Sequence, residues 1–596
     1  MPLNQYYSER ISHLQAEVDK TQKKEDHLSF ARLASFIGTI VLFYIILNIN
    51  FGIAIVLLIA GLAVFGVILK LHLQTVGKKE HLAYLLSINK KELESINGNW
   101  QSFPDGNEYI NSNHPYSGDL DIFGRASLFQ YINRTTSKPG SNKLADWLKT
   151  PASTDEIFAR QEAVSELKEH TDWRHELMAI GYKYAESGDN PEPITNWINE
   201  EPIFLGNKTL KITINILTAF TLILLVCWIV GILPSIVSII LLINARMLYK
   251  ANKDINKVHK NVSNNAELLR SYVATIKLIE EGQTFKSPKL AELQKQFIYT
   301  NGTASASIKE LSELVNKLDY RLNVFVGLPL NLFYFWDIRQ IMKLEKWKIQ
   351  NRKHITRWFQ TMAEFEALSS IGNTYFNNPD WSMPVIAPEH FRLNAEDLGH
   401  PLIPYSKRVC NSFVLEQTGK IVIVTGSNMS GKSTFLRTIG INLVLAMTGA
   451  PVCARIVNIS PILVLTSMRI IDSLEENTSS FYAELKRLAC IIQTVEKGDK
   501  VFLLLDEILR GTNSTDRHIG SVALIKQLVK NNAVGIIATH DLALSQLEEE
   551  LPQHVDNYNF DVKIENDELY FDYRLTKGIC KSLNASLLMK KMGIRV

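Results

Sequence analysis

The chain has 596 residues and a formal net charge of +3, with 64 lysines and arginines against 61 aspartates and glutamates. This length exceeds what one hydrophobic core supports, and it predicts several domains. The nearly balanced charge excludes a uniformly basic or acidic molecule, so any nucleic-acid surface has to be a local patch.

Residues 1–110 form the first predicted domain, a set of N-terminal helices with a membrane hairpin at about 33–71. The run from 33 to 69 carries no charge, and it is too long for one span of about 20 residues. It is typical of two short spans joined by a tight turn, which we place at Asn48 and Asn50. A linker is expected at 98–118, because asparagine, serine, proline and glycine are frequent there.

A second uncharged run covers residues 212–245, with its turn at 231–234. Lysines and arginines flank the outer ends of both runs, and neither turn is charged. The positive-inside rule therefore places the ends of both hairpins in the cytoplasm, as in a multi-pass protein of the inner (cytoplasmic) membrane. The alternative for each run is a pair of buried core helices.

Residues 111–383 are predicted to be a helical domain that the second hairpin interrupts. Apolar residues at helical spacing support this interpretation, for example Leu144, Trp147 and Leu148. The apolar stretch 323–336 is either a core helix, which we favour, or a segment at the membrane surface. The basic stretch 339–357 is a DNA-phosphate surface, a lipid-headgroup surface or a solvated helix face.

From residue 384 to 596 the pattern changes to short strands, turns and helices, which predicts an α/β domain. Its most informative stretch is IVIVTGSNMSGKST at 421–434. A β-branched run ends at Gly426, and Gly431-Lys432-Ser433 follows at the spacing G-x-x-x-x-G-K-S. Glycines let successive N–H groups surround phosphate oxygens, the lysine reaches the outer phosphates, and the serine hydroxyl is offered to Mg²⁺. The sequence therefore predicts a nucleotide site.

Three further stretches of this domain are candidates for the same site. An apolar strand ends in Asp506-Glu507, where an acidic pair for magnesium and water is expected downstream of such a loop. Another predicted strand, 536–539, leads to His540, which is placed to sense a γ-phosphate. Ser479 and Ser480 begin a helix whose N-terminus favours an anion, although an ordinary helix cap would look the same.

Together these motifs resemble the MutS family of ABC-type ATPases. GSNMSGKST is similar to that family's GPNMGGKST, and Met429 after Asn428 is characteristic of the family. The segment LLLDEILRGTNSTDR resembles its LLDEIGRGTSTxDG, SSFYAEL its STFMxEM, ATHD its FATHY, and Gly399-His400-Pro401 its GRHP. The helical domain from residue 120 also resembles the family's core, so the likeness covers most of residues 120–590.

The resemblance implies a homodimeric ATPase whose two sites are each completed by the partner, with ATP and Mg²⁺ as cofactors. Magnesium would be held by Ser433 and Asp506, Glu507 would activate water, and His540 would monitor the γ-phosphate. Ser479 or Ser480 would reach the partner's nucleotide. The triphosphate would be bound by Gly426, Ser427, Asn428, Met429, Ser430, Gly431, Lys432, Ser433 and Thr434.

Residues 1–110 depart from the family, because no aromatic wedge for a mismatch stands there. We therefore expect a membrane-anchored MutS-like ATPase that couples ATP hydrolysis to DNA binding, in or near DNA mismatch repair, with mismatched or branched DNA as the candidate ligand. The alternative is an ATP-driven membrane scaffold or a transport-related ATPase, with a protein or lipid partner and no DNA role.

Overall fold

A computed structural model describes residues 2–184, 192–231, 236–263, 266–299, 302–387, 391–469, 480–565 and 568–580. Its first two helices are α1 (Leu3–Leu47) and α2 (Phe51–Ile96), which pack against each other in antiparallel fashion. The Asn50 side chain caps α2 by accepting a hydrogen bond from the Ile53 amide. Apolar side chains between Phe30 and Leu73 are exposed on this hairpin, whereas its charged end docks on the helical domain.

A buried ion pair holds the α1–α2 hairpin to the rest of the chain. Arg134 donates to both carboxylate oxygens of Glu92 on α2, and the two side chains are 4% and 0% exposed. The Arg134 guanidinium also lies 3.5 Å from the centre of the Phe103 ring. Asn377 donates to the same Glu92 carboxylate and accepts from Tyr7 on α1. The hairpin is therefore a fixed stalk on the helical domain.

The helical domain contains two long bundles around one central helix, α14, which passes through both. Its elements are α3 (Leu128–Ile132), α4 (Lys138–Lys149), α5 (Thr154–Glu169), α6 (Thr171–Tyr184), α7 (Glu192–Asn199), α8 (Lys208–Ile229), α9 (Ile236–Ser263), α10 (Ala266–Glu281), α11 (Pro288–Lys295), β1 (Ile298–Tyr299), β2 (Gly302–Thr303), α12 (Ala304–Leu318), α13 (Val324–Tyr334) and α14 (Trp336–Asn377).

Within the described residues, α1, α2 and α8 are long and apolar enough to cross a membrane. The apolar part of α9 is shorter, because Arg246 follows only ten residues after its start.

The favoured core position of 323–336 is wrong for most of its length, since Phe325 is 91% exposed and Leu328 is also exposed. The basic stretch 339–357 is part of α14, where Lys348 is buried and donates to backbone carbonyls of Trp197 and Glu200.

The C-terminal domain has a six-stranded sheet in the order β12-β11-β6-β10-β9-β8, parallel except for β12, beside a four-stranded sheet in the order β3-β7-β4-β5. The elements are β3 (Val385–Ile386), β4 (Leu393–Leu398), β5 (Asn411–Leu415), β6 (Ile421–Gly426), α15 (Lys432–Thr448), β7 (Ile456–Ile459), β8 (Leu463–Ser467), α16 (Ser480–Glu496), β9 (Val501–Asp506), α17 (Ser514–Lys530), β10 (Val534–Thr539), α18 (Leu547–Glu550), β11 (Val555–Glu565) and β12 (Glu568–Lys577).

One hydrophobic core runs from the helical domain into this α/β domain. Tyr116 of the expected linker at 98–118 belongs to this core, and Trp100 and Phe103 of the same segment are also buried. Just beyond it, Asp119 accepts hydrogen bonds from the Thr466 hydroxyl and the Met468 amide at the end of β8. The segment is therefore a packed joint rather than a solvated tether, and composition alone does not reveal such packing.

Candidate nucleotide-binding site

The glycine-containing loop lies between the buried strand β6 and the N-terminus of α15. Gly426 and Gly431 have φ values of 154° and 106°, which side chains other than glycine rarely adopt. A Cβ atom at Gly426 would lie 2.8 Å from the Phe560 carbonyl oxygen, so the close approach of β11 also requires glycine. These constraints bring the backbone of 427–431 around the start of α15, where N–H groups and the helix dipole favour an anion.

Lys432 is buried at the first position of α15, and its ammonium group folds back over the loop. It donates to the carbonyl oxygens of Gly426 and Ser427 at 2.7 and 2.9 Å. Burial lowers the pKa of Lys432, although the carboxylates of Glu507 and Asp506 act in the opposite direction. A positive charge held this close to the loop suits the phosphates that the sequence pattern implies.

Ser433 and Asp506 meet at the ends of α15 and β9. The serine hydroxyl donates to Asp506 Oδ2 at 2.5 Å. Asp506 Oδ1 is buried and accepts no hydrogen bond from the part of the chain described here, and the Arg510 guanidinium lies 4.0 Å from it. Burial raises the pKa of Asp506, and the Ser433 hydrogen bond and the positive charges of Arg510 and Lys432 oppose this shift only in part. A buried carboxylate oxygen without a donor, beside a hydroxyl, fits Mg²⁺, a cation that prefers oxygen ligands.

Glu507 and His540 come together at the carboxyl ends of β9 and β10. The His540 Nδ1 atom lies 3.5 Å from Glu507 Oε1. Glu507 has a φ of 49°, and its amide donates to the Ala538 carbonyl of the neighbouring strand. The other carboxylate oxygen, Oε2, lies 3.2 Å from Arg510 Nε. The loop that follows Glu507 therefore turns one guanidinium, that of Arg510, back onto the acidic pair of its own chain.

The start of α16 is attached to this loop by a residue that the sequence analysis did not single out. Glu484 is buried, and its carboxylate accepts hydrogen bonds from the amides of Leu509 and Arg510 at 2.5 and 3.2 Å. Burial raises the pKa of Glu484 despite these two bonds. Ser479 lies outside the described residues. Ser480 is the first residue of α16, but its side chain is also outside them, so the roles of both serines stay predictions.

A cavity of about 370 Å³ opens beside the loop, within the size range of small-molecule sites. Residues 427–434 and Glu507 form one side of it. The opposite side comes from distant parts of the chain and includes Leu398, His400, Ile403, Lys407, Val409, Asn411, Phe560 and Tyr573. Apart from the GHP motif, no sequence signal pointed to these residues.

Two hydrogen bonds between the Asn411 side chain and the backbone of β12 fix the far wall of the cavity. Asn411 on β5 donates to the Tyr573 carbonyl and accepts from the Leu575 amide, so the two sheets are joined there. The ring of Tyr573 lies against Gly431. Burial and the charges of Arg437 and Arg408 lower the pKa of His400 to about 4, so this imidazole is neutral at pH 7.

These features define a helix-rich multidomain protein with a C-terminal α/β domain, in which a glycine loop, a buried lysine and two acidic residues surround one cavity. Residues 422–591 match the family model described as MutS domain V. By this C-terminal part, the chain is similar to MutS-family proteins. The resemblance to the MutS family is thus confirmed for the part of the chain from residue 422 onward, which holds most of the motifs that suggested it.

Curated relatives show the same relationship. The DNA mismatch repair protein MutS of Thermotoga maritima is 30% identical over 239 residues, which is 39% of this chain and 29% of that protein. MutS protein homolog 4 of Mus musculus is 33% identical over 199 residues, 32% of this chain and 20% of that protein. The mismatch repair protein MutS of Fusobacterium nucleatum is 34% identical over 182 residues, with 30% and 20% covered. The chain therefore matches less than a third of the length of these relatives.

Proposed function

We propose that this chain is a membrane-anchored MutS-like ATPase that converts ATP and water to ADP and phosphate and couples the reaction to DNA binding. The observation that carries the proposal is the juxtaposition of Ser433 with Asp506, whose buried Oδ1 lacks a hydrogen donor among the described residues, beside Lys432 and Glu507. A triphosphate with Mg²⁺ satisfies all four groups at once.

Each residue of the site has a separate task in this proposal. The loop amides of 427–431 and the Lys432 ammonium bind phosphate oxygens, while Ser433 and Asp506 hold the metal. Bound Mg²⁺ neutralises charge that develops on the phosphates. Glu507 accepts a hydrogen bond from the attacking water and orients it, and His540 lies close enough to Glu507 to report whether a γ-phosphate is present. Positioning and charge neutralisation, rather than a covalent enzyme intermediate, supply the rate.

The homodimer and the DNA partner are proposed on two grounds. The described part of the site leaves its outer side open, and the segment preceding α16 is the one that the family resemblance directs toward a partner's nucleotide. Two of the relatives named above are called DNA mismatch repair protein MutS. ATP and ADP differ in their contacts with the site, so they would shift such a dimer between closed and open states.

A second function is favoured by one observation, the exposed apolar surface at the far end of the helical domain. Side chains of α8, α9 and α13 are exposed there, for example Ile223, Leu242 and Phe325. A lipid-facing surface at this end supports a membrane scaffold that uses ATP to rearrange a protein or lipid partner and has no DNA role. Anchoring through the two hairpins is common to both proposals.

Two substitutions in full-length protein in nanodiscs test the ATPase. Lys432→Ala should abolish ATP binding, whereas Glu507→Gln should retain ATP, lose turnover and accumulate a closed dimer. Lys530→Ala and Glu549→Gln are matched controls at exposed positions of the same domain, and both should behave like the unmodified protein. Normal turnover by Glu507→Gln would refute the assignment of the water-orienting residue.

DNA coupling is tested separately by measuring duplex and branched DNA binding at several salt concentrations. A linear fall of log K with log salt, steeper with ATP than with ADP, would support the DNA proposal, because the slope counts neutralised phosphates. ATP turnover without any DNA binding would replace it with the scaffold.

A further inference from the structure

One exposed face of α14 carries a long row of basic residues. Between residues 338 and 363 this helix contains seven lysines and arginines and a single acidic residue, Glu345. Glu345 is buried, and its carboxylate accepts hydrogen bonds from the amides of residues 203–205. Exposed side chains recur at intervals of three and four residues, which places them on one side of the helix. This basic row consists of Lys343, Lys346, Gln350, Lys353, Arg357 and Gln360.

The positive charge of the basic row is not neutralised by carboxylates of the described residues. Arg357 Nε donates to the neutral side chain of Gln296 at 3.1 Å. The next acidic residue along α14, Glu364, pairs with Lys289 at 2.7 Å, and the same lysine also pairs with Glu156 at 2.8 Å. Because these carboxylates have other partners, the row remains a local cationic surface that attracts a polyanion.

The second half of the basic row lines an open groove of about 460 Å³. Lys353 and Arg357 contribute two cations to it, and Lys143 on α4 adds a third. Thr356 and Gln360 also line the groove, and their hydroxyl and amide groups are hydrogen-bond donors. Lysine, arginine, glutamine and threonine are among the side chains that bind phosphate oxygens of nucleic acids. The groove therefore suits one phosphate of a sugar-phosphate backbone.

The length of the basic row and the position of the nearby aromatic rings favour duplex DNA. From Lys343 to Gln360 the helix rises about 26 Å. One DNA strand carries a phosphate about every 3.4 Å along the duplex axis, so the row is long enough to meet several phosphates. Proteins that bind single strands stack bases on aromatic side chains. Here the nearest rings, those of Tyr299, His354 and Trp358, contact one another, with centroids 5.4 to 6.0 Å apart.

A lipid surface fits the basic row less well. A helix in the membrane interface combines basic residues with apolar side chains that enter the headgroup boundary. Ile349 is the one large apolar side chain of α14 that is exposed between residues 343 and 360. Arg357 also lies about 31 Å along the helix from Trp336, where α14 follows the apolar helix α13. The field of anionic headgroups falls off within about 8 Å at physiological salt, so a membrane at that end acts little on Arg357.

We propose that the basic row and Lys143 form a surface that binds the backbone of duplex DNA. Lys143, Lys353 and Arg357 hold one phosphate in the groove, and Lys343 and Lys346 contact phosphates further along the duplex. Contacts to phosphates carry no direct sequence information, so this binding is independent of base sequence. The inference rests on the proposed DNA binding and gives it a location on the helical domain.

Lysine acetylation tests this surface on the unmodified full-length protein. In nanodiscs of zwitterionic lipid, a fully paired DNA duplex should lower the acetylation of Lys346 and Lys353 several-fold, as read by peptide mass spectrometry. Lys309, which is exposed on α12, should stay equally reactive. If DNA binds and both lysines of the row keep their reactivity, the proposal is overturned. Protection of these lysines by phosphatidylserine nanodiscs without DNA would also overturn it, because the row would then belong to lipid headgroups.

The salt dependence of DNA binding counts the phosphate contacts. Lys353→Gln combined with Arg357→Gln removes two of them, so the slope of log K against log salt should become shallower by about 1.8. Between about 50 and 200 mM salt, the affinity of the unmodified protein should therefore fall about tenfold more than that of the variant. The difference should be the same on duplexes of different sequence. Circular dichroism checks that the variant is folded.

The matched control is Arg270→Gln combined with Lys309→Gln, which removes one arginine and one lysine at exposed positions of α10 and α12. This control should keep the full slope. An unchanged slope in the variant of Lys353 and Arg357, with DNA still bound, would overturn the assignment of the surface. Absence of DNA binding by the unmodified protein would instead refute the proposed DNA function, so the two failures are distinguishable.

Discussion

Glu484 provides the sharpest test of how the site is held together. Its buried carboxylate accepts the amides of Leu509 and Arg510, two residues after the Asp506-Glu507 pair. Leu509 has a φ of 60°, so this backbone depends on outside contacts to stay in place. Each hydrogen bond to a charged group contributes about 1.5–3 kcal/mol. Glu484→Ala removes both bonds and leaves two amides without an acceptor, so we expect a loss of about 3–5 kcal/mol in local stability.

Hydrogen exchange read by mass spectrometry measures this loss on the peptide that contains residues 507–512. The exchange should accelerate strongly in Glu484→Ala, and ATP turnover should fall while nucleotide binding through Lys432 persists. Lys486→Ala, at an exposed position on the same helix, is the control. If residues 509 and 510 stay equally protected from exchange in Glu484→Ala, the reasoning is refuted, because the carboxylate then does not stabilise the loop.

Two further predictions concern the joints of the structure. Arg134→Met should destabilise the chain by about 3–5 kcal/mol, because Glu92 stays buried without its partner. In urea denaturation, the double variant that also carries Glu92→Gln should recover most of this loss. Additive losses in the double variant would contradict the prediction. His400, whose pKa of about 4 is below its ordinary 6.5, is protonated first in the unfolded chain as pH falls. The free energy of unfolding therefore decreases as the pH falls from about 6.5 to 4. Between pH 7 and pH 5, this decrease should be about 2 kcal/mol larger in the unmodified protein than in His400→Asn.

The loop and the acidic pair could be predicted because their chemistry is contained in short stretches. Gly426 and Asp506 end buried strands and Lys432 follows one closely. Parallel strands bring their carboxyl ends to one edge of a sheet. The far wall of the cavity could not be predicted. Tyr573 and Asn411 are separated by more than 150 residues in sequence, and they meet only because β12 closes the larger sheet beside β5.

The helical domain shows a different limit of sequence reasoning. An apolar stretch such as 324–334 has the same pattern whether protein or lipid covers it, and the favoured core position was wrong for that reason. The linker at 98–118 shows the opposite case, a stretch of loop-like composition that contains buried residues. Its composition is typical of a loop, yet Trp100 and Phe103 are buried, because loop residues pack where two domains meet.

Helix α14 connects the two ends of the molecule without a break. It begins at Trp336, directly after the apolar helix α13, and ends at Asn377, which contacts the stalk. Its 42 residues make a rod of about 63 Å. Tilting such a rod by about 5° at the bilayer moves its other end by about 5 Å, comparable to one helical turn. With the proposed membrane anchoring, we therefore expect ATP turnover to differ between short-chain and long-chain lipids, and measuring turnover in both tests this expectation.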